Sequence, residues 1–433
     1  MRVAYVAAGA AGMYCGSCIH DNTLAAALIR HGVEVALLPT YTPLRTDEED
    51  VSGRRVFYGG INVFLQQKLG LFRHTPRLLD RLLDGRRLLG TLSRFSAATS
   101  AADLGALTVS VLQGEEGRQK KELAKLVDWL AAEFEPDLVQ LTNSMFVGMA
   151  RRLKEVLKVP VVCALQGEDL FLNGLIEPYR ARALATLRAR ATDVDGFIAP
   201  NARYADAMAG YLAVPREWIQ VVPLGLNLDG YGEADTSGGE EFTLGYLARI
   251  CPQKGLHLLV EAYALLRQRG RRLRLEVAGY MGRRDRDYGA EQRRRLRRWE
   301  EAGEVLFHGE VDRAGKLGFL QGLDALCVPT VYREAKGLFA LEAMAAGVPV
   351  IAPEHGAFPE LLVQTGGGIL VAPDSVDAIV SAVERLMDEP DLRRTLAHSG
   401  RDRVHASFGA EEMARSTAAL YQRYLNRADW ETG

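Results

Sequence analysis

The sequence predicts an α/β protein made of two doubly wound, parallel-sheet domains that face a central cleft. Three observations carry this. Short apolar runs alternate with helical stretches in both halves of the chain. A polar stretch rich in Gly and Asp, residues 227–242, separates the halves and shows no periodicity. The 433 residues also exceed the about 250–300 that one hydrophobic core holds.

The elements follow in order. "RVAYVAA" is a buried strand that runs into Gly9 and a glycine-rich loop. "NTLAAALIRHG" has helical spacing and stops at Gly32, and "VEVALLP" is the next strand. This strand–loop–helix–strand unit begins a parallel sheet, continued by "PDLVQLT", "VPVVCAL", "DGFIAP" and "IQVVPLG". A helical insert occupies residues 62–134, approximately. In it Leu78, Leu82, Leu89 and Leu92 share one face of a basic amphipathic segment. Such a helix can lie on a membrane, but its mixture of Asp with Arg fits packing on its own domain better. The first domain is expected over 1–226, a linker over 227–241 and the second domain over 242–409. A helical tail, 410–433, is expected to pack back on the first domain. The second domain repeats the alternation with "FTLGYLA", "LRLEVAGY", "VLFHGEV", "DALCVPT", "VPVIAP" and "GGILVAP".

Composition excludes several classes. The formal net charge is −2, with 25% charged and 48% hydrophobic residues, so nucleic acid is not an expected partner. The arginine-rich stretch "GRRDRDYGAEQRRRLRRWEE" interleaves acids and reads as a solvated helix face. Five scattered cysteines make no disulfide framework and suit a reducing compartment. The N-terminus has only Arg2 as a basic flank, and Met13 and Tyr14 are too bulky for a cleavage site before Cys15, so no signal peptide is expected. No apolar run reaches 18 residues, so no membrane-spanning helix is expected. A cytoplasmic enzyme is the expectation, with peripheral membrane contact left open.

Two segments carry the chemistry. In "PTVYREAKGLFALEAMAAGVPVIAPEHGAFPELL" a strand runs into a loop bearing Glu334. Gly337 and Leu338 open a helix that contains Glu342. A helix N-terminus presents N–H groups and partial positive charge to a phosphate, and carboxylates suit paired hydroxyls. In "GYLARICPQKGLHLLVEAY" a strand ends at Arg249, and Lys254 and Gly255 open a helix. Two cations there suit a diphosphate and would stabilise charge on a leaving nucleotide without a metal.

Together these segments resemble the retaining glycosyltransferases of family 4, with the GT-B fold of two Rossmann-like domains. That family carries R-x4-K and E-x7-E, matched by Arg249 with Lys254 and by Glu334 with Glu342. "VVPLGLNLDGY" and "LAAALIRHGVEVALLP" resemble further family segments. The resemblance implies a hexosyltransferase of class EC 2.4 that takes a UDP- or GDP-sugar as donor and a hydroxyl of a sugar, lipid or other acceptor. It implies donor binding by Gly16, Arg249, Lys254, Glu334, Gly337, Leu338 and Glu342, with Glu334, Arg249 and Lys254 catalytic. The acceptor falls to the first domain, where His20, Asp21, Gln166, Glu168 and Asp169 are the candidates. No metal and no cofactor are implied.

The sequence also departs from the family. Gln166 stands where many relatives carry His, and an amide cannot act as a base at neutral pH. Lys336 replaces a usual aromatic, which bears on the donor sugar. In "GMYCGSCIHD", Gly16 falls on the loop expected to meet the donor. Cys15 and Cys18 read as structural or substrate-loop residues before they read as a zinc or redox pair, because a zinc site needs more ligands. The alternatives are a GT-B sugar phosphorylase and an inactive carbohydrate-binding scaffold.

Overall fold

The computed structural model describes residues 1–9, 15–53, 101–232 and 241–427. The amphipathic face of Leu78, Leu82, Leu89 and Leu92 lies outside these residues, as do Gly12, Met13 and Tyr14. The chain divides into two compact units, Met1–Pro223 with the segment from Ala410 onward, and Leu224–Gly409.

The first unit holds a six-stranded parallel sheet. Its strands are β1 (Arg2–Ala7), β2 (Glu34–Pro39), β3 (Leu138–Leu141), β4 (Val161–Ala164), β5 (Gly196–Ala199) and β6 (Ile219–Val221), in the order β2-β1-β3-β4-β5-β6. β3, β4 and β5 are buried along their whole length. That explains why β4 and β5 are unbroken apolar runs and why β3 is interrupted only by the buried Gln140: helices cover both faces of a parallel sheet. Within the expected insert, helices run over Ala101–Leu112 and Lys120–Trp129, the latter ending in a π-turn, Leu130–Phe134.

The helix Ala410–Leu425 packs in this unit, against the helix Gly16–Arg30. Met413, Tyr421 and Tyr424 share a core with Tyr5, Leu24 and Leu28. Tyr421 donates its hydroxyl to the buried Gln140 of β3. Gly196 leaves room for Tyr424, since a Cβ there would lie 1.9 Å from the Tyr424 hydroxyl.

The second unit repeats the plan with β7 (Phe242–Leu247), β8 (Leu273–Ala278), β9 (Val305–Gly309), β10 (Ala325–Cys327), β11 (Val350–Pro353) and β12 (Gly368–Val371), in the order β12-β11-β10-β7-β8-β9. Leu224, Leu226 and Tyr231 belong to its core, and Leu226 pairs with Gly409. This unit therefore begins at Leu224, before the expected linker. Apolar side chains at alternate positions draw that stretch inward, which its polar average conceals.

Both strand orders reverse once. The chain steps from β7 to β8 to β9, then crosses back so that β10 lies on the other side of β7. After β7 and β10 the chain therefore continues toward opposite edges of the sheet, which marks a crevice at the strands' carboxyl ends. The first sheet reverses in the same way between β1 and β3.

Gly255, which follows the β7 loop, has φ +73°, and a Cβ there would lie 1.8 Å from the carbonyl oxygen of Pro329. Only glycine lets these two loops approach so closely. Replacing Gly255 with Ala is expected to destabilise the second unit by about 2–4 kcal/mol, through positive φ and backbone collision together. Denaturant titration of Gly255→Ala beside wild type measures this, and an unchanged midpoint would show that the approach is not a constraint.

Candidate active site

The site builds outward from the crevice of the second sheet. β7 ends at Leu247, Arg249 follows it, and a short 3-10 turn, Pro252–Lys254, leads through Gly255 into the helix Leu256–Gln268. From β10 the chain runs through Pro329 to Gly337, which at φ +72° starts the helix Leu338–Ala345. The two loops are joined by a backbone bond, Val331 N–H to the carbonyl of Gln253, at 3.0 Å.

That junction brings Lys254 and Glu334 together. The Lys254 ammonium lies 2.5 Å from Glu334 Oε2, with side chains only 17% and 9% exposed. Tyr332 donates its hydroxyl to the same oxygen at 2.6 Å. The ammonium also sits 5.2 Å from the ring centroids of both Tyr332 and Phe339, within cation–π range. Among the described residues, Glu334 Oε1 has only a long contact of 3.4 Å from the Lys336 N–H. The Glu334 backbone is fixed from behind by Ala357, whose N–H donates to its carbonyl at 2.8 Å. Gly356, at φ +60°, permits that approach, because a Cβ there would lie 2.4 Å from the Glu334 carbonyl oxygen.

Charge follows from these contacts. Burial pushes the Glu334 carboxyl up, but Lys254, Tyr332 and Lys336 outweigh it and bring it from 4.5 down to about 2. Burial and the adjacent Glu334 push the Tyr332 phenol well above 10, so it stays a donor. Glu334 is thus an ionised acceptor at neutral pH, with Oε1 the less occupied oxygen.

The other expected donor residues have distinct places. Arg249 is exposed, and its Nε contacts Cys251 Sγ at 3.3 Å. Glu342 lies inside the helix Leu338–Ala345 and pairs with Lys316 at 2.6 Å. Gly337 and Leu338 occupy the start of that helix. Gly16 is in the first unit, as the first residue of the helix Gly16–Arg30.

Three residues near the crevice escaped sequence reading. Tyr332 was signalled only by standing two residues before Glu334. Lys316 looks in sequence like any polar position of a helix. His355 joins the ends of β10 and β11, with Nε2 2.9 Å from the Thr330 carbonyl. Nothing local marks it.

In the first unit, the expected acceptor residues turn largely inward. Asp21 is 1% exposed. Its Oδ1 accepts from the Tyr5 hydroxyl at 2.6 Å and from Gln166 Nε2 at 2.7 Å, and its Oδ2 accepts from the Thr142 hydroxyl at 2.6 Å. These bonds tie together the carboxyl ends of β1, β3 and β4. Asp21 and Gln166 therefore form a buried knot, because the parallel strands end side by side. Glu168 is also buried and accepts from the N–H groups of Ser144 and Gln166 at 2.9 and 2.7 Å. Burial raises its carboxyl, and these bonds pull against that. Asp169 accepts from the Tyr204 hydroxyl at 2.7 Å, and His20 lies half-buried on the helix Gly16–Arg30. Cys18 is buried in the core and Cys15 is half-buried, and neither forms a disulfide. Among the described residues no three His, Cys, Asp or Glu side chains gather as metal ligands.

Comparison with known proteins matches these two sheets separately. The family described as Glycosyl transferases group 1 matches residues 233–403, and a Glycosyl transferase 4-like domain matches 22–225. The capsular polysaccharide biosynthesis glycosyltransferase CapM of Staphylococcus aureus is 25% identical over 190 residues, 44% of this chain and 48% of CapM. The lipopolysaccharide core biosynthesis mannosyltransferase LpsB of Rhizobium meliloti is 32% identical over 186 residues, 42% of this chain and 52% of LpsB. The chain thus spans about half the length of these relatives. In fold it is similar to sucrose-phosphate synthase from Thermosynechococcus elongatus, with a TM-score of 0.69 at 20% identity over 98% of both chains. It is also similar to Anabaena Alr3699/HepE in complex with UDP and glucose, with a TM-score of 0.67 at 17% identity over 98% of this chain and 100% of that one. The two domain matches account for both units and run almost end to end, and the chain belongs to the glycosyltransferases of GT-B fold and family 4 type.

Proposed function

We propose that this protein transfers a glycosyl group from a nucleotide-sugar, a UDP- or GDP-sugar, to an acceptor hydroxyl. The observation that carries the reading is the Lys254–Glu334 pair set in the crevice between β7 and β10. HepE, similar in fold, is known in complex with UDP and glucose, which supports this donor class.

In this reading the second unit binds the donor and the first unit the acceptor. Arg249 and Lys254 take the diphosphate, the N–H groups that open the helix at Gly337 and Leu338 face a phosphate, and Glu342 takes the ribose. Glu334 meets the sugar. With its carboxyl at about 2 it carries no proton at neutral pH, so it cannot protonate the departing diphosphate. It can accept hydrogen bonds from sugar hydroxyls and stabilise positive charge developing at the anomeric carbon. The bond from that carbon to the diphosphate breaks, a bond to the acceptor oxygen forms, and the acceptor proton passes to the diphosphate or to solvent. The two cations balance the leaving charge, so no divalent metal is required, and the anomeric configuration is kept. The same reading puts the enzyme in the cytoplasm, with peripheral contact at the inner membrane face where the acceptor is a lipid. No described helix is long and apolar enough to cross a membrane.

Release of nucleoside diphosphate from a panel of UDP- and GDP-sugars tests the proposal. Arg249→Ala and Lys254→Ala are each expected to lower kcat by about 10²–10³-fold, as loss of a charge-stabilising donor does. EDTA should leave turnover intact. Wild-type turnover in both variants would overturn the assignment.

Acid stability tests the charge state independently. The folded carboxyl at about 2 lies below its ordinary 4.5, so its stabilisation is complete above about pH 4.5 and is lost as pH falls toward 2. That shift corresponds to roughly 3 kcal/mol. The stability gap between wild type and Glu334→Gln should therefore be full near pH 6 and should close toward pH 2. A gap that does not change with pH would show that Glu334 is not held ionised by its neighbours.

A further inference from the structure

We infer that Lys316 is a positioning residue for the nucleotide's ribose, acting through Glu342, an inference that rests on the nucleotide-sugar reading. Lys316 lies on the helix Arg313–Gln321, between β9 and β10, and is buried. Its ammonium is 2.6 Å from Glu342 Oε1, and the two side chains are 9% and 12% exposed. In the helix Leu338–Ala345 six of eight residues are buried. The other two, Leu338 and Glu342, stand four apart and so share one face. Glu342 is therefore the polar group left open on the same face as the residue that begins the helix.

A buried ion pair adds little net stability, because desolvation of both charges offsets their attraction. A well-packed apolar pair would hold these helices equally well. What the pair does supply is a carboxylate of fixed direction. Lys316 takes Oε1, while Oε2 accepts no hydrogen bond among the described residues. A vicinal diol donates two O–H groups, and a carboxylate held by one edge presents its remaining lone pairs to them. Lys316 also brings the net charge of the pair to zero.

Calorimetric titration of the full chain tests this with UDP and GDP, each beside its 2′,3′-dideoxy form. Wild type is expected to prefer the ribose form about tenfold, and Lys316→Met to reduce that preference below about threefold while changing dideoxy affinity less than about twofold. Lys316→Arg should restore most of the preference. Should Lys316→Met fail to fold, Lys316→Gln serves as the second variant. It keeps a donor without charge and is expected to lose at least about half of the preference. Retained preference in the folded variant, or equal weakening of ribose and dideoxy forms, would overturn the role. Glu342→Gln separates the two layers. If it keeps the ribose preference, the ribose assignment of Glu342 fails and Lys316 falls with it. If it loses the preference while Lys316→Met keeps it, only the inference about Lys316 fails. If neither diphosphate binds wild type, the nucleotide-sugar reading itself is wrong.

Discussion

The ion pair between Lys254 and Glu334 joins the two loops that leave the middle of the second sheet, and the candidate site is arranged around it. β7 and β10 are adjacent parallel strands whose chains part at their ends. Glycine brings the loops close, since only Gly255 can lie against the Pro329 carbonyl. The pair then locks them. Burial alone would drive Glu334 toward its neutral form, but a cation and a phenol on the same oxygen reverse that outcome. The result is an ionised acid with one oxygen engaged and the other turned to weaker contacts.

The first unit solves the same geometric problem with neutral donors around an acid. Asp21 receives two hydroxyls and an amide, and Gln166 also donates to the Thr142 carbonyl at 2.8 Å. A histidine in place of Gln166 could not supply two protons from one nitrogen to the same set of acceptors. The departure from the family at position 166 thus has a structural reason here: the amide stitches β1, β3 and β4 together. Glu168 does the same for the backbone at Ser144 and Gln166.

Both acids of the E-x7-E motif have a lysine partner, and the two partners differ in how visible they are. Lys254 stands beside the glycine that ends its turn, in a motif of set spacing. Lys316 comes from a different helix, 26 residues before Glu342. The two lysines give two carboxylates of known orientation in one unit, each with an oxygen still able to accept a hydroxyl.

The amino-acid sequence by itself determined the two α/β halves, their strands and the helices opening at Gly255 and at Gly337. It also marked Arg249, Lys254, Glu334 and Glu342. Apolar runs, glycines and motif spacing are local properties, and local properties are written along the chain. Only the tertiary structure decided that Lys254 meets Glu334 across 80 residues, that Lys316 meets Glu342, and that Asp21 and Gln166 face inward. These outcomes depend on the order in which strands lie side by side. A crossover that carries β10 past β7 brings distant loops together, and hydrophobic pattern states which residues are buried without stating beside what.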